Sequence, residues 1–196
     1  AIPPLTILDD AKREVYTTQM VIQFLHADPL GSAAKIVQRA AYFFAVEDRE
    51  LMYFYSNNFF GAIPQPWLGL GYAAIILPWI LVALLTPLGM LVAPGRRAAW
   101  LVAALLVGYT LPHLLVIAEP RFHLALVPVM IPAAAVAWSR RRELAQRWLS
   151  SPSAWAWAAR LSPVLLTLLW IWGMGANWPR IIEILGPGGN HARWSY

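Results

Sequence analysis

The sequence has no cysteine and few charges, and both absences narrow what the chain can be. None of its 196 residues is a cysteine, which excludes disulfide bonds and thiolate metal ligands. Only 13% of the residues are charged, compared with about 25% in an average soluble protein. Hydrophobic residues make up 59%, and so much apolar surface in a short chain needs lipid as a second solvent.

Long charge-free runs indicate where the chain crosses the bilayer. No charged residue occurs between Glu50 and Arg96, and three further charge-free runs follow. Each is near the roughly 17–25 residues that a helix needs to cross the hydrocarbon core. The sequence therefore predicts an all-α integral membrane bundle of about four transmembrane helices with interfacial helices on the outer face. The predicted spans are residues 67–93, 98–118, 122–138 and 161–178.

The arginines predict the orientation of these spans. Arg96 and Arg97 follow the first span, and four arginines between Arg140 and Arg147 follow the third. The link at residues 119–121 is nearly neutral. The positive-inside rule then places both arginine-rich links in the cytoplasm. We therefore attribute the net charge of +5 to topology, and expect no nucleic acid as a partner.

This topology divides the chain into three segments. Residues 1–66 form an outer-face segment of amphipathic and interfacial helices. Residues 67–178 form the transmembrane bundle, and residues 179–196 form an outer-face tail.

The outer segment contains a predicted interfacial helix. Asp28 is a favoured N-cap, and Pro29 suits the first helical position. Over residues 30–45 the apolar side chains fall on one broad face, whereas Lys35 and Arg39 lie i, i+4 apart on the other. We expect this helix to lie in the membrane interface, where Lys35 and Arg39 bind lipid headgroup phosphates.

Two polar pairs in the outer segment each have two interpretations. Asn57 and Asn58 lie in an aromatic stretch suited to the headgroup layer, where they either bind a sugar or headgroup or form a turn. Asp9 and Asp10 either bind a cation or act as a base, or they are a solvated helix start. We favour the structural interpretation of each pair.

The most informative cluster is Glu119, Arg121 and His123, called here the Glu119–His123 corner. It brings a carboxylate, a guanidinium and an imidazole together at a predicted membrane boundary. One interpretation is a tight turn, in which Pro120 breaks the helix and the charges cap its ends. The other is an anion-binding site, because arginine presents a planar fork that suits a phosphate and His123 offers a second donor.

His113 lies inside the second predicted span, next to Pro112. An ionisable residue within a membrane is a functional candidate, but a neutral histidine can also bond to a helix carbonyl that a proline has freed. We favour the second interpretation. The sequence shows no nucleophile–base pair and no metal-ligand spacing, so we predict no catalytic residue, metal site or cofactor in this chain.

Two stretches carry a resemblance to a known family. Residues 53–61 read Tyr-Phe-Tyr-Ser-Asn-Asn-Phe-Phe-Gly, and residues 118–128 read Ala-Glu-Pro-Arg-Phe-His-Leu-Ala-Leu-Val-Pro. Separated by a long span, they resemble the C-terminal half of bacterial GT-C fold membrane glycosyltransferases. This family-39-like group is related to protein mannosyltransferases and aminoarabinose transferases. Residues 28–39 are similar to the interfacial helix of that group, so the resemblance extends over about residues 28–138.

The resemblance implies a bacterial plasma-membrane protein that uses a polyprenyl-phosphate-linked sugar at the outer face. In that family the catalytic acid lies in an early outer loop, so the chain is expected to be a C-terminal portion without that acid. Glu119, Arg121 and His123 would then line the phosphate side of the donor cavity, with Asn57 as a further substrate-binding residue.

A second hypothesis belongs to a different class. Short length, the missing active site and the 11 tryptophans suit a non-catalytic accessory subunit of a larger respiratory or photosynthetic membrane complex. Its partners would be other membrane subunits as well as lipids. Transport is a weaker third hypothesis, because no acidic residue lies within any predicted span.

Overall fold

The structure is a computed structural model that describes residues 10–46, 63–115, 118–150 and 152–185. By contact density the chain divides into two compact units, residues 1–40 and 41–196, which are described separately. The helices are α1 (Asp10–Ala27), α2 (Pro29–Phe43), α3 (Gln65–Leu91), α4 (Arg96–Leu115), a 3₁₀ helix (Pro120–Leu126), α5 (Val127–Ser139), α6 (Arg141–Ser150), α7 (Ala154–Ala176) and α8 (Trp178–Leu185).

Four helical segments are long and apolar enough to cross a membrane. They are Pro66–Leu91, Arg96–Leu115, Arg121–Ser139 and Ala154–Ala176. No strand occurs in the described ranges. The chain is therefore an all-α integral membrane protein with four membrane-spanning helices, as the charge-free runs predicted.

In the first unit, the start of α2 follows its predicted capping. The Gly31 amide donates a hydrogen bond of 2.8 Å to the Asp28 side chain. The Ser32 hydroxyl donates one of the same length to the Asp28 carbonyl. Asp28 is thus the N-cap, because its side chain satisfies an amide that has no partner within the helix. On the same helix Lys35 is exposed and Arg39 is half-buried.

In the second unit, α3 packs most extensively against α5 and then α7. Small residues make the α3–α5 contact close. A Cβ added at Gly89 would collide with the Ala133 carbonyl of α5. The Thr86 hydroxyl lies 2.7 Å from the Val82 carbonyl of its own helix and 3.2 Å from the Met130 carbonyl across the contact. Such residues hold membrane helices together because they let the backbones approach.

Arg147 of α6 and Arg140, which lies between α5 and α6, bind backbone carbonyls at the end of α3. Arg147 donates a hydrogen bond of 3.0 Å to the Leu91 carbonyl, and Arg140 donates one of 3.2 Å to the Val92 carbonyl. Glu143 pairs with both guanidiniums, at 2.7 Å and 3.4 Å. This part of the bundle, residues 91–100 and 140–160, is called the arginine-rich end. The link that follows the third span lies at this end and contains the ten-residue helix α6.

The fourth span begins at Ala154, before its predicted start at residue 161. Ser153 caps the helix by accepting a hydrogen bond of 3.2 Å from the Ala156 amide. Arg160 is accommodated inside α7 because its guanidinium donates a hydrogen bond of 3.1 Å to the Arg147 carbonyl. The same guanidinium lies 5.3 Å from the centre of the Trp157 ring. An arginine near a span end can be held this way while its charge stays outside the core.

Candidate functional site

The Glu119–His123 corner is built by the 3₁₀ helix that opens the third span. Glu119 has an extended backbone, with φ −129° and ψ 143°, and Pro120 occupies the first helical position. Proline fits there because its missing N–H would have no helical partner. The Phe122 amide donates a hydrogen bond of 3.1 Å to the Glu119 carbonyl. The chain therefore turns tightly at Pro120, and the short helix that follows contains both Arg121 and His123.

Glu119 and Arg121 form an ion pair. The Arg121 Nε lies 2.5 Å from Glu119 Oε2, and the side chains are 62% and 31% exposed. The Arg121 guanidinium also lies 6.0 Å from the centre of the Phe122 ring. Because the contact to Glu119 uses Nε, the two terminal nitrogens are the groups with which Arg121 would engage a ligand. The neighbouring carboxylate offsets the charge of the guanidinium.

His123 is placed differently from its two neighbours in the corner. It is 3% exposed, and its Nδ1–H donates a hydrogen bond of 3.0 Å to the Phe43 carbonyl. Its ring stacks on Trp79 of α3, with 3.9 Å between centroids and 14° between planes. These contacts anchor the 3₁₀ helix. The role of His123 as a second phosphate donor stays a prediction, and the structure places its ring in the interior.

Two side chains donate hydrogen bonds to backbone carbonyls at the end of α2. His123 binds the Phe43 carbonyl, and the Trp170 indole N–H of α7 donates a hydrogen bond of 2.5 Å to the next carbonyl, that of Phe44. Phe43 itself is fully buried. Carbonyls at a helix end lack helical partners, and in lipid no water replaces them. Within the second unit, the carbonyls of Phe43 and Phe44 are therefore bound by the corner and by α7.

His113 belongs to the same packing. Its ring lies 5.8 Å from the centroid of Phe43, 4.7 Å from that of Tyr109 and 4.6 Å from that of Phe122. In the described part of the chain its contacts are with these rings, and the expected bond to a helix carbonyl is not among them. The aromatic cluster is defined here as Phe43, Phe44, Trp79, Tyr109, His113, Phe122, His123 and Trp170.

The aromatic cluster lies well inside the bundle. Along α3, the distance from Trp79 to Leu91 at the arginine-rich end is about 18 Å at 1.5 Å per residue. The hydrocarbon core of a bilayer is about 30 Å thick. Gln65, at the other end of α3, is about 21 Å from Trp79 on the same scale, so Trp79 and the corner beside it lie near the middle of α3. Pairing Glu119 with Arg121 suits that depth, because an unpaired charge there is costly.

The other predicted site residues fall in the first unit or outside the described ranges. Asn57 and Asp9 fall outside them, and Asp10 begins α1. Lys35 and Arg39 belong to the first unit, on α2. Within the described ranges, no three His, Asp or Glu side chains converge on a point where they could hold a metal ion.

Two tryptophans of the aromatic cluster, Trp79 and Trp170, were not among the predicted site residues. Both side chains pack in the aromatic cluster and not at the membrane surface, where tryptophans are most frequent. The position of Trp79 in the middle of the first predicted span could have marked it, because belt residues lie at span ends. Its indole N–H is buried and finds no acceptor among the described residues. No protein-family model, curated protein or solved structure matches this chain.

Proposed function

We propose that the chain is the C-terminal, non-catalytic portion of a membrane glycosyltransferase that uses a polyprenyl-phosphate-linked sugar. In this proposal Arg121 binds the phosphate of the donor. The observation that carries it is the geometry of the corner: an exposed guanidinium, paired with Glu119 through Nε, at the start of a membrane span. A lipid-linked phosphate would approach from that end of the bundle, with its prenyl chain against apolar helices.

The proposal includes an orientation. The arginine-rich end faces the cytoplasm of a bacterial plasma membrane, and the corner faces the outer half of the bilayer. Because the sequence lacks cysteine, single cysteines can report on this. Ser139→Cys, in the last position of α5 and next to the arginine-rich end, should resist a membrane-impermeant thiol reagent applied to intact cells. Rapid labelling of that cysteine would mean that the arginine-rich end faces outward, and it would contradict a donor that binds at the outer face.

The phosphate role is tested by binding of farnesyl phosphate, a short prenyl phosphate, to the purified chain in neutral detergent. Arg121→Gln should weaken binding about tenfold, the value of one charge-assisted hydrogen bond. Glu119→Gln should bind as well as the wild type or more tightly, because a competing anion is removed. Arg142→Gln is the matched control, since Arg142 is exposed and lies at the opposite end of the bundle.

Two results would contradict this role for Arg121. One is equal loss of affinity in Arg121→Gln and Arg142→Gln, which would reflect net charge alone. The other is farnesol binding as tightly as farnesyl phosphate, which would mean that the phosphate contributes nothing. In the complete enzyme, turnover that is unchanged by Arg121→Ala would also reject the proposal.

One observation favours the alternative, an accessory subunit of a larger membrane complex. The second span, α4, is only 6% buried over its apolar window, compared with 33% for the third span. A span with so few contacts in its own bundle offers a long apolar face to a neighbouring subunit. Stable co-purification with a partner subunit, together with no binding of farnesyl phosphate, would favour this alternative.

A further inference from the structure

A cleft opens at the arginine-rich end, away from the Glu119–His123 corner. It has a volume of about 670 Å³ and lies between the end of α3, the first turn of α4, α6 and the first turn of α7. Arg96 and Arg147 line it, together with Gly95, Ser153 and apolar side chains. Both arginines also belong to the links that predict the orientation of the spans.

The charge of this cleft is positive. Both lining arginines are exposed, and no Asp or Glu is among the described residues that line it. Glu143 pairs with Arg147 from outside the lining. Two helices, α4 and α7, also begin at its wall, and the first amides of a helix carry partial positive charge. These groups together favour an anion.

The inner wall of the cleft is aromatic and apolar. The Trp100 and Trp155 rings meet at 4.8 Å between centroids and 40° between planes. Trp100 and Ala158 each lie four residues into their helices, which is about 6 Å toward the middle of the bundle. The cleft thus leads from a cationic mouth into the apolar depth of the spans. A molecule with an anionic head and hydrocarbon tails matches both parts, whereas a small soluble anion would use only the mouth.

We propose that this cleft binds the phosphate headgroup of an anionic phospholipid, with Arg96 and Arg147 on the phosphate and the acyl chains along Trp100 and Ala158. Basic pockets between membrane helices bind anionic headgroups in this manner. The site is separate from the corner and does not depend on glycosyl transfer. Its anchor is Arg96, because Arg147 already binds the Leu91 carbonyl and Glu143.

The test measures binding of dioctanoyl-phosphatidylglycerol to the purified chain in neutral detergent by titration calorimetry. Arg96→Gln should weaken binding about tenfold, since it removes one charge-assisted contact. Arg97→Gln is the matched control: Arg97 is adjacent, exposed and equally charged, but it does not line the cleft. It should change the affinity less than about twofold, because exposed charges attract weakly through water.

A second pair of variants tests the cleft without altering charge. Ala158→Phe should fill the apolar wall and weaken lipid binding, whereas Ala98→Phe, exposed in the first turn of α4 and outside the lining, should not. Helix content and farnesyl phosphate binding are measured in each variant. Retention of both shows that a loss at the cleft is local, and it separates this proposal from the role of Arg121.

Three results would overturn the proposal. Equal affinities of Arg96→Gln and Arg97→Gln for the lipid would mean that net charge attracts it, with no specific contribution from Arg96. Equal binding of dioctanoyl-phosphatidylcholine would show that net negative charge is irrelevant. Displacement of the lipid by glycerol 3-phosphate or inorganic phosphate at equal concentration would make the ligand a soluble phosphate.

Discussion

Gly89 offers the sharpest test of how the bundle is packed. A Cβ at this position would lie 2.6 Å from the Ala133 carbonyl carbon and 3.2 Å from the Ala137 amide nitrogen, and nearer still to the Ala133 carbonyl oxygen. All three are backbone atoms, so no side-chain rotation relieves the collision. In Gly89→Ala the helices α3 and α5 must therefore separate locally.

The expected destabilisation follows from three contributions. Overpacking against backbone belongs at the upper end of its usual range, about 3 kcal/mol. Separation also lengthens the contact between Thr86 and Met130 across the helices, worth about 0.6 kcal/mol in a membrane. Alanine recovers about 1 kcal/mol because it favours helix more than glycine does. We expect Gly89→Ala to lower the free energy of unfolding by about 2–3 kcal/mol.

The assay is equilibrium unfolding in mixed detergent micelles, followed by circular dichroism. Gly71→Ala is the control on the same helix, since a Cβ there meets nothing within 4 Å, and it should be neutral or slightly stabilising. Ala133→Gly should not rescue Gly89→Ala, because the colliding atoms belong to the backbone. Equal stability of Gly89→Ala and Gly71→Ala would refute a backbone collision between α3 and α5 at residue 89.

Two further predictions use the same unfolding assay. His123→Phe keeps a flat ring on Trp79 but leaves the Phe43 carbonyl without its donor, so it should lower the free energy of unfolding by about 1–3 kcal/mol. A loss no larger than that of an exposed control such as Arg142→Gln would contradict the anchoring role of His123. Glu143→Gln should cost less than about 1 kcal/mol, since its partners are partly exposed, and a larger loss would show that the arginine caps depend on that carboxylate.

The four spans were predictable because each depends on local composition. A charge-free run of sufficient length has few alternatives to a membrane helix. Asp28 was predictable as an N-cap for the same reason, since a cap acts within three or four residues. The predicted start of the fourth span at residue 161 was wrong, because α7 begins at Ala154 and includes Arg160. Ser153 was the better signal, and its hydroxyl does cap the helix.

The environment of the corner could not be predicted, because it depends on residues far apart in the sequence. His123 meets Phe43 of α2 and Trp79 of α3, and no periodicity or spacing indicates those partners. From the sequence alone, the imidazole was therefore predicted to be a second phosphate donor beside Arg121. Burial separates the two side chains in the structure, with His123 at 3% exposure and the Arg121 side chain at 62%.

The arginines of the bundle have two uses, and the two must be separated before the orientation can be tested. Arg140 and Arg147 bind the last carbonyls of α3, and in lipid no solvent would replace those bonds. Substituting either one alters folding and the charge balance of the loops together. Arg97 and Arg142 are exposed, and the carbonyls of α3 are not bound through them. An inverted topology in a variant that lacks both would therefore report the charge balance alone, whereas the same result from Arg140 or Arg147 would not.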